Sequence, residues 1–293
     1  MINNNALEVK NLYKTYNGFT LNDVSFALPV GYIMGFIGKN GAGKTTTIRC
    51  ILNMAARDSG DIKIFGLDNI QDELAAKQEI GTIFDSNFFV GAWKVRDVEK
   101  AIRGFYSNWD SKLFNDYLKK FNLPPKQYVG KLSRGMMTKL MLATAMSHGA
   151  KLLILDEPTS GLDPVARDEL NYILQKYIED GTKSVFFSTH ITSDLEQIAD
   201  YITLIDNGKI FYTGTKDGLL EEYCIVKGGL SDLNGALKEN IIGLNVVSTG
   251  FNGLMRVSDI KGFPGNIVTE PSTIDQILIH INKMGVNNYE QIL

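Results

Sequence analysis

The chain has 293 residues, of which 44% are hydrophobic and 22% charged, and its formal net charge is −3. That is the balance of an ordinary globular protein, long enough for one large or two modest domains. With so little net charge there is no global basic field to draw nucleic acid or anionic lipid, and no nucleic-acid partner is expected.

No apolar run approaches the length of a membrane-spanning helix; residues 33–37 and 152–155 have the length of buried strands. The first residues, Met1, Ile2, Asn3, Asn4 and Asn5, are mostly polar and lack the apolar stretch of a signal peptide. The two cysteines, Cys50 and Cys224, stand far apart and in no metal-ligand spacing, which fits buried thiols in a reducing, cytoplasmic compartment.

In chain order, Leu7 and Val9, then Leu21, Val24, Phe26 and Leu28, alternate with polar residues. This predicts short antiparallel strands with turns at Asn17-Gly18 and at residues 29–31. An apolar strand at 33–37, a Gly-rich loop and a helix from about Thr45 follow. Residues 61–66 read as a hairpin, 72–78 as a helix and 81–84 as a strand. From about 97 to 146 the pattern turns helical: Leu113, Phe114, Tyr117, Leu118 and Phe121 recur every three or four residues. Pro124-Pro125 interrupts it, and a helix resumes near Gly135.

Strand and helix then alternate: a strand at 152–155, a helix at 164–179 ended by Gly181, a strand at 184–187 and a helix at 194–199. A strand pair follows around Asn207-Gly208. Such alternation predicts an α/β fold with a mostly parallel core sheet. Ser193 and Glu196 have the spacing of a capping box. Beyond about Gly218, short strand-like runs lie between Gly- and Asn-rich turns, and a helix at 272–284 follows Pro271. Residues 219–293 are therefore expected to form a small separate α+β domain.

The chemistry is concentrated in two places. Gly38, Lys39, Asn40, Gly41, Ala42, Gly43, Lys44 and Thr45, with Thr46 beside them, fit G-x-x-x-x-G-K-[ST] between a strand and a helix. Glycines let the backbone wrap a phosphate chain, and successive amides and the helix N-terminus supply partial positive charge. Lys44 then reaches the β- and γ-phosphates, and the Thr45 hydroxyl ligates Mg²⁺. A chance match in a chain this long is on the order of one in a hundred. The second place is the apolar strand ending in Asp156-Glu157. Asp156 is placed to hold the metal and Glu157 to polarise the attacking water.

Taken together, these stretches resemble the ATP-binding subunits of ABC transporters. Leu132-Ser133-Arg134-Gly135-Met136 is similar to that family's signature motif and Ser160-Gly161-Leu162-Asp163 to its D-loop. His190 sits at its switch histidine and Tyr16 at its adenine-stacking aromatic. The resemblance runs from residue 7 to about 215, and it assigns 1–218 to a P-loop ATPase domain of ABC type. Within that domain it implies an N-terminal antiparallel β subdomain and a helical subdomain at about 85–146, which grips the membrane partner. Phe88, Phe89, Trp93 and Trp109 are its candidate groove aromatics.

The resemblance further implies ATP and Mg²⁺ bound in a head-to-tail dimer, homo- or heteromeric, attached to an integral membrane permease on the cytoplasmic side of the cell membrane. One copy would supply Tyr16, the P-loop, Asp156, Glu157 and His190. The other would supply Ser133, the Gly135 amide and Asp163. Ser133 and Asp163 also read as helix N-caps, the latter with Pro164 at the first helical position.

Three residues depart from the family. Asp85 stands where a metal-sensing glutamine is expected, Arg134 replaces a glycine, and Met136 replaces a glutamine. Asp85 is still able to reach Mg²⁺ through water. Slow hydrolysis, or activity at only one of two unlike sites, follows as an expectation. Asp85, Trp109-Asp110 and this signature look most like a bacterial export branch that moves peptides, including antimicrobial ones. A soluble ABC ATPase and a nucleotide-gated regulatory module are the alternatives. Residues 219–293 carry no motif beyond an accessory, regulatory or dimerisation role.

Overall fold

The computed structural model describes residues 4–84, 89–262 and 267–283. Chain contacts divide it into two units, Met1–Phe211 and Tyr212–Leu293, so the division falls a few residues before the boundary read from the sequence.

The first unit opens with β1 (Asn5–Tyr16) and β2 (Phe19–Pro29), an antiparallel pair longer than the short strands expected. Register shifts along β1, at Asn11 among other places, let one ribbon run on where the alternation slips. Next come β3 (Ile33–Ile37), α1 (Lys44–Ile51), β4 (Ser59–Ile64), β5 (Leu67–Asp68), α2 (Glu73–Gln78) and β6 (Ile80–Ile83). The helical stretch resolves into α3 (Val98–Ile102), α4 (Ser111–Lys120) and α5 (Arg134–Met146). The remainder is β7 (Leu152–Asp156), α6 (Pro164–Ile178), β8 (Ser184–Thr189), α7 (Thr192–Ile198), β9 (Tyr201–Asp206) and β10 (Lys209–Thr215).

Among the described residues, β2-β1-β4-β5 form one sheet and β10-β9-β3-β8-β7-β6 another. In the second sheet, β9, β3, β8, β7 and β6 are parallel neighbours. Every residue of β3, β7 and β8 is buried. That is why β3 and β7 read as near-continuous apolar runs, and why β8 holds Val185, Phe186 and Phe187 in a row: a sheet covered on both faces needs no polar side. Phe26 of the antiparallel sheet packs on Phe36 and Phe186 of the parallel one, with centroid distances of 5.6 and 5.5 Å. Contacts of this kind contribute about 0.5–1.5 kcal/mol per pair beyond area burial, and they fix one sheet on the other.

Helices α5 and α6 start on the local caps that the sequence predicts. Asp163 accepts from the Val165 and Ala166 amides at 3.0 and 2.9 Å, with Pro164 at the first position of α6. The Ser133 hydroxyl accepts from the Met136 amide at 3.3 Å. The Ser193–Glu196 capping box does not form. Helix α7 starts two residues earlier than that motif requires, behind Ile191, whose amide donates to Thr189 Oγ1 at 2.9 Å. Ser193 therefore lies inside the helix, where a capping role is closed to it.

In the second unit, α8 (Lys216–Glu222), β11 (Tyr223–Gly228), α9 (Gly235–Asn240), β12 (Ile242–Val247), β13 (Gly250–Arg256), β14 (Val268–Pro271) and α10 (Ile274–Lys283) follow. The sheet order is β12-β13-β11-β14, and α10 packs on β12 and β13. Cys224, Val226, Leu237, Ile241, Phe251 and Met255 form a core cluster of this unit. Helices α8 and α9 and strand β14 escape the sequence pattern because each is too short to show a period.

Candidate functional site

The three parallel strands β3, β8 and β7 lie side by side, so the loops at their carboxyl ends converge. Residues 38–45 follow β3, Glu157 follows β7, and His190 follows β8. Ligands of parallel α/β sheets bind at that end. A cleft of about 660 Å³ opens there, lined by Lys39, Asn40, Gly41, Gly43, Lys44, Thr45 and Thr46, by Glu157 and His190, and by Gly18, Phe19 and Ser160.

The P-loop backbone is built for close approach. Gly43, the N-cap of α1, has φ +116°, and a Cβ there would sit 2.6 Å from Leu21 Cδ2 and 2.9 Å from Phe19 Cζ. At Gly38 a Cβ would meet the Ile205 carbonyl at 2.3 Å. Neither position admits a side chain. Gly38 and Ala42 form the underside of the loop: Ala42 is fully buried and its carbonyl accepts from the Gly208 amide at 2.9 Å.

Lys44 is 6% exposed, and its ammonium donates to the Gly38 carbonyl at 2.7 Å. The same ammonium stands 3.4 Å from Glu157 Oε1, and Glu157 Oε2 is 2.6 Å from His190 Nδ1. A buried cation, a carboxylate and an imidazole thus form one chain along the cleft. Glu157 has φ +51°, a backbone conformation costing a non-glycine residue about 1–3 kcal/mol. The turn aims its carboxylate back over the P-loop rather than out along the strand direction.

Next to this chain, the Thr45 hydroxyl donates to Asp156 Oδ2 at 3.0 Å. Ser188 ties Asp156 to Glu157: its hydroxyl donates to Asp156 Oδ1 at 2.6 Å and accepts from the Glu157 amide at 3.0 Å. Ser188 was not legible as a site residue, because a serine in a buried strand has no spacing signature. Phe19 and Ser160 also enter the cleft without a sequence signal of their own.

Tyr16 is 46% exposed at the end of β1 with Lys14 Nζ 5.2 Å from its ring centroid; its register partner Phe19 is the aromatic that lines the cleft. Ser133, Gly135 and Asp163 do not line this cleft. They cluster instead near one another, Gly135 lying beside Leu162 and Ala166. Asp85 and Phe88 fall outside the described residues. Phe89 lines a second cavity, of about 270 Å³, with Phe84, Tyr106 and His148 among its walls. Trp109 donates through Nε1 to Glu99 at 3.2 Å and packs on Phe114, and Trp93 is half-buried.

Fold and cleft together define a P-loop nucleotide hydrolase. The comparisons narrow this. Residues 21–160 match the family model described as ABC transporter. The chain is 32% identical over 269 residues to the bacitracin transport ATP-binding protein BcrA of Bacillus licheniformis, covering 88% of this chain and 87% of that protein. It is 33% identical to the lantibiotic transport ATP-binding protein SrtF of Streptococcus pyogenes, covering 72% of this chain and 92% of that one. Among solved structures, the ATP binding subunit of an ABC transporter superposes with a TM-score of 0.67 at 27% identity, over 73% of this chain and 91% of that chain. The chain belongs to the ATP-binding subunits of ABC transporters, binds nucleotide and is an ATPase. Among the described residues no helix is long and apolar enough to cross a membrane.

Proposed function

We propose that this chain hydrolyses ATP to power export of a peptide, of the antimicrobial class, through a separate membrane permease on whose cytoplasmic face it sits. The observation that carries the catalytic part is the Lys44–Glu157–His190 chain beside the Thr45–Asp156 pair. The Gly-rich loop and Lys44 hold the triphosphate, and Phe19, with Tyr16 beside it, offers a face to the base. Glu157 takes a proton from the attacking water, whose oxygen bonds to the γ-phosphorus as the bond to ADP breaks. His190 holds the Glu157 carboxylate in place through Nδ1.

Thr45 Oγ1 and Asp156 Oδ2 are neighbouring hard oxygen donors. They fit Mg²⁺, a cation that commonly takes one or two protein ligands and fills its octahedron with phosphate oxygens and water. When bound, Mg²⁺ neutralises charge that develops on the phosphates. The Asp85 side chain is assigned to the same metal through water.

Ser133, Gly135 and Asp163 lie off the cleft of their own chain, which supports a second copy presenting them to the nucleotide in a head-to-tail sandwich. The start of α5 then brings the Gly135 amide and the positive end of the helix dipole to the γ-phosphate. Residues 219–293 are assigned an accessory role in dimerisation or regulation. The peptide cargo rests on relatives named for bacitracin and lantibiotic transport and for SkfA peptide export.

Two measurements test this reading. Detergent extracts of cells producing the tagged chain should yield a multi-span membrane protein with it, and the Glu157→Gln variant should remove resistance to a peptide antibiotic that the wild type confers. Recovery as a lone dimer, with susceptibility unchanged, refutes it.

A further inference from the structure

Arg134 occupies the first position of α5, where a cation faces the positive end of the helix dipole and no acidic residue in the first turn offsets it. For helix stability alone this is the wrong residue. Its side chain crosses to the loop after β7. An added Cβ on Gly161 would lie 2.7 Å from an Arg134 guanidinium nitrogen, 3.1 Å from its central carbon and 3.3 Å from Cδ. The whole end of the arginine therefore lies against the Gly161 backbone. Gly161 has φ +67°, a backbone conformation that calls for glycine, and an added Cβ would also displace the end of the arginine. Arg134 also shares a crevice with Glu157 and Pro158.

The loop under that arginine has two ends with different tasks. Ser160 lines the nucleotide cleft, and Asp163 caps α6. Its base is fixed from below, where Thr159 donates to the fully buried Asp194 of α7 at 2.6 Å. The turn itself is closed by the Leu162 amide, which donates to the Thr159 carbonyl at 3.1 Å, and Arg134 lies against Gly161.

We propose that Arg134 is a positioning residue: it clamps residues 160–163 to the start of α5 within one chain, so that Ser133, Gly135 and Asp163 are presented to a second copy as one rigid surface. The proposal rests on the sandwich reading above. It accounts for an arginine at a helix start that disfavours it, since the cost in helix stability is offset by the order imposed on the loop.

The test uses the full chain with the substitutions Arg134→Ala and Gly161→Ala, each also combined with Glu157→Gln. In Arg134→Ala, kcat should fall about tenfold, the scale on which displaced catalytic groups slow a reaction. ATP affinity of the isolated chain should change less than twofold, because Arg134 is not among the residues lining the nucleotide cleft. Tm should hold or rise by about 1–3 °C as the cation leaves the helix start. Gly161→Ala should lower kcat at least as far, and adding Arg134→Ala to it should cost little more. In the Glu157→Gln background, ATP-driven dimerisation, followed by gel filtration, should need about tenfold more ATP once Arg134 is removed.

Retention of kcat within twofold in Arg134→Ala overturns the proposal, as does a fall in kcat accompanied by a Tm loss of several degrees. If Glu157→Gln alone forms no ATP-dependent dimer, the sandwich reading fails, and with it the clamp. If that dimer forms and is indifferent to Arg134→Ala, only the clamp fails.

Discussion

Glu157→Gln isolates the proposed proton acceptor with the least steric change. The amide keeps the shape of the carboxylate but neither accepts a proton at neutral pH nor carries charge. Glu157 is held at 2.6 Å by His190 and at 3.4 Å by Lys44, with its side chain 17% exposed, so the carboxylate is oriented before substrate arrives. A positioned general base contributes roughly 10²–10⁴-fold to rate, or about 3–5 kcal/mol of barrier. The substitution also removes a negative charge facing the triphosphate, so ATP binding should hold or tighten. Phosphate release measured against ATP concentration should show kcat down at least about a hundredfold. Equilibrium binding of a fluorescent ATP analogue should be unchanged or tighter. Wild-type and variant rates within threefold of each other would show that Glu157 is not the working base, and the regulatory-module alternative would then stand.

Lys44→Ala removes the buried cation. A hydrogen bond to a charged group is worth about 1.5–3 kcal/mol, so nucleotide affinity should fall roughly ten- to a hundredfold by calorimetry. Asp163→Ala removes the cap that accepts the Val165 and Ala166 amides, and urea unfolding should show a loss of about 1 kcal/mol.

His148 and His280 are both buried, and desolvation pushes each imidazole below its ordinary range. The unfolded chain therefore takes up protons that the folded one refuses. Stability should be flat above about pH 7 and fall as pH drops through the ordinary histidine range near 6.5, with the slope reduced in His148→Phe. Melting curves between pH 5 and 8 check the sign. Burial likewise raises the Cys50 and Cys224 thiols, so a thiol reagent should label neither in the native protein and both after denaturation.

The sequence alone determined the P-loop, because every requirement of a phosphate cradle is local. Glycines at 38, 41 and 43, a lysine and a hydroxyl must follow one another in a chain that turns from strand to helix. The buried strands at 33–37, 152–155 and 184–187 were legible for the same reason: double-sided burial leaves a short, mostly apolar run. The helix caps at Ser133 and Asp163 were legible too, since a cap acts over three residues. Short elements such as α9 and β14 were not, because their shape comes from what they pack against. The Ser193 cap failed because α7 begins where the end of β8 delivers it, and the sheet overrides a local motif.

Only the tertiary structure decided how distant groups meet. Ser188 joins Asp156 to Glu157 because β8 lies between β3 and β7, a fact of strand order. Phe19 lines the cleft, against Gly43 of the P-loop, while its register partner Tyr16 does not, a difference that the alternation of the hairpin does not encode. Arg134 reaches Gly161 because α5 and the loop after β7, separated by a full strand in sequence, are brought together by packing on the parallel sheet. Sequence spacing records covalent neighbours, whereas these contacts are fixed by the order in which strands pair.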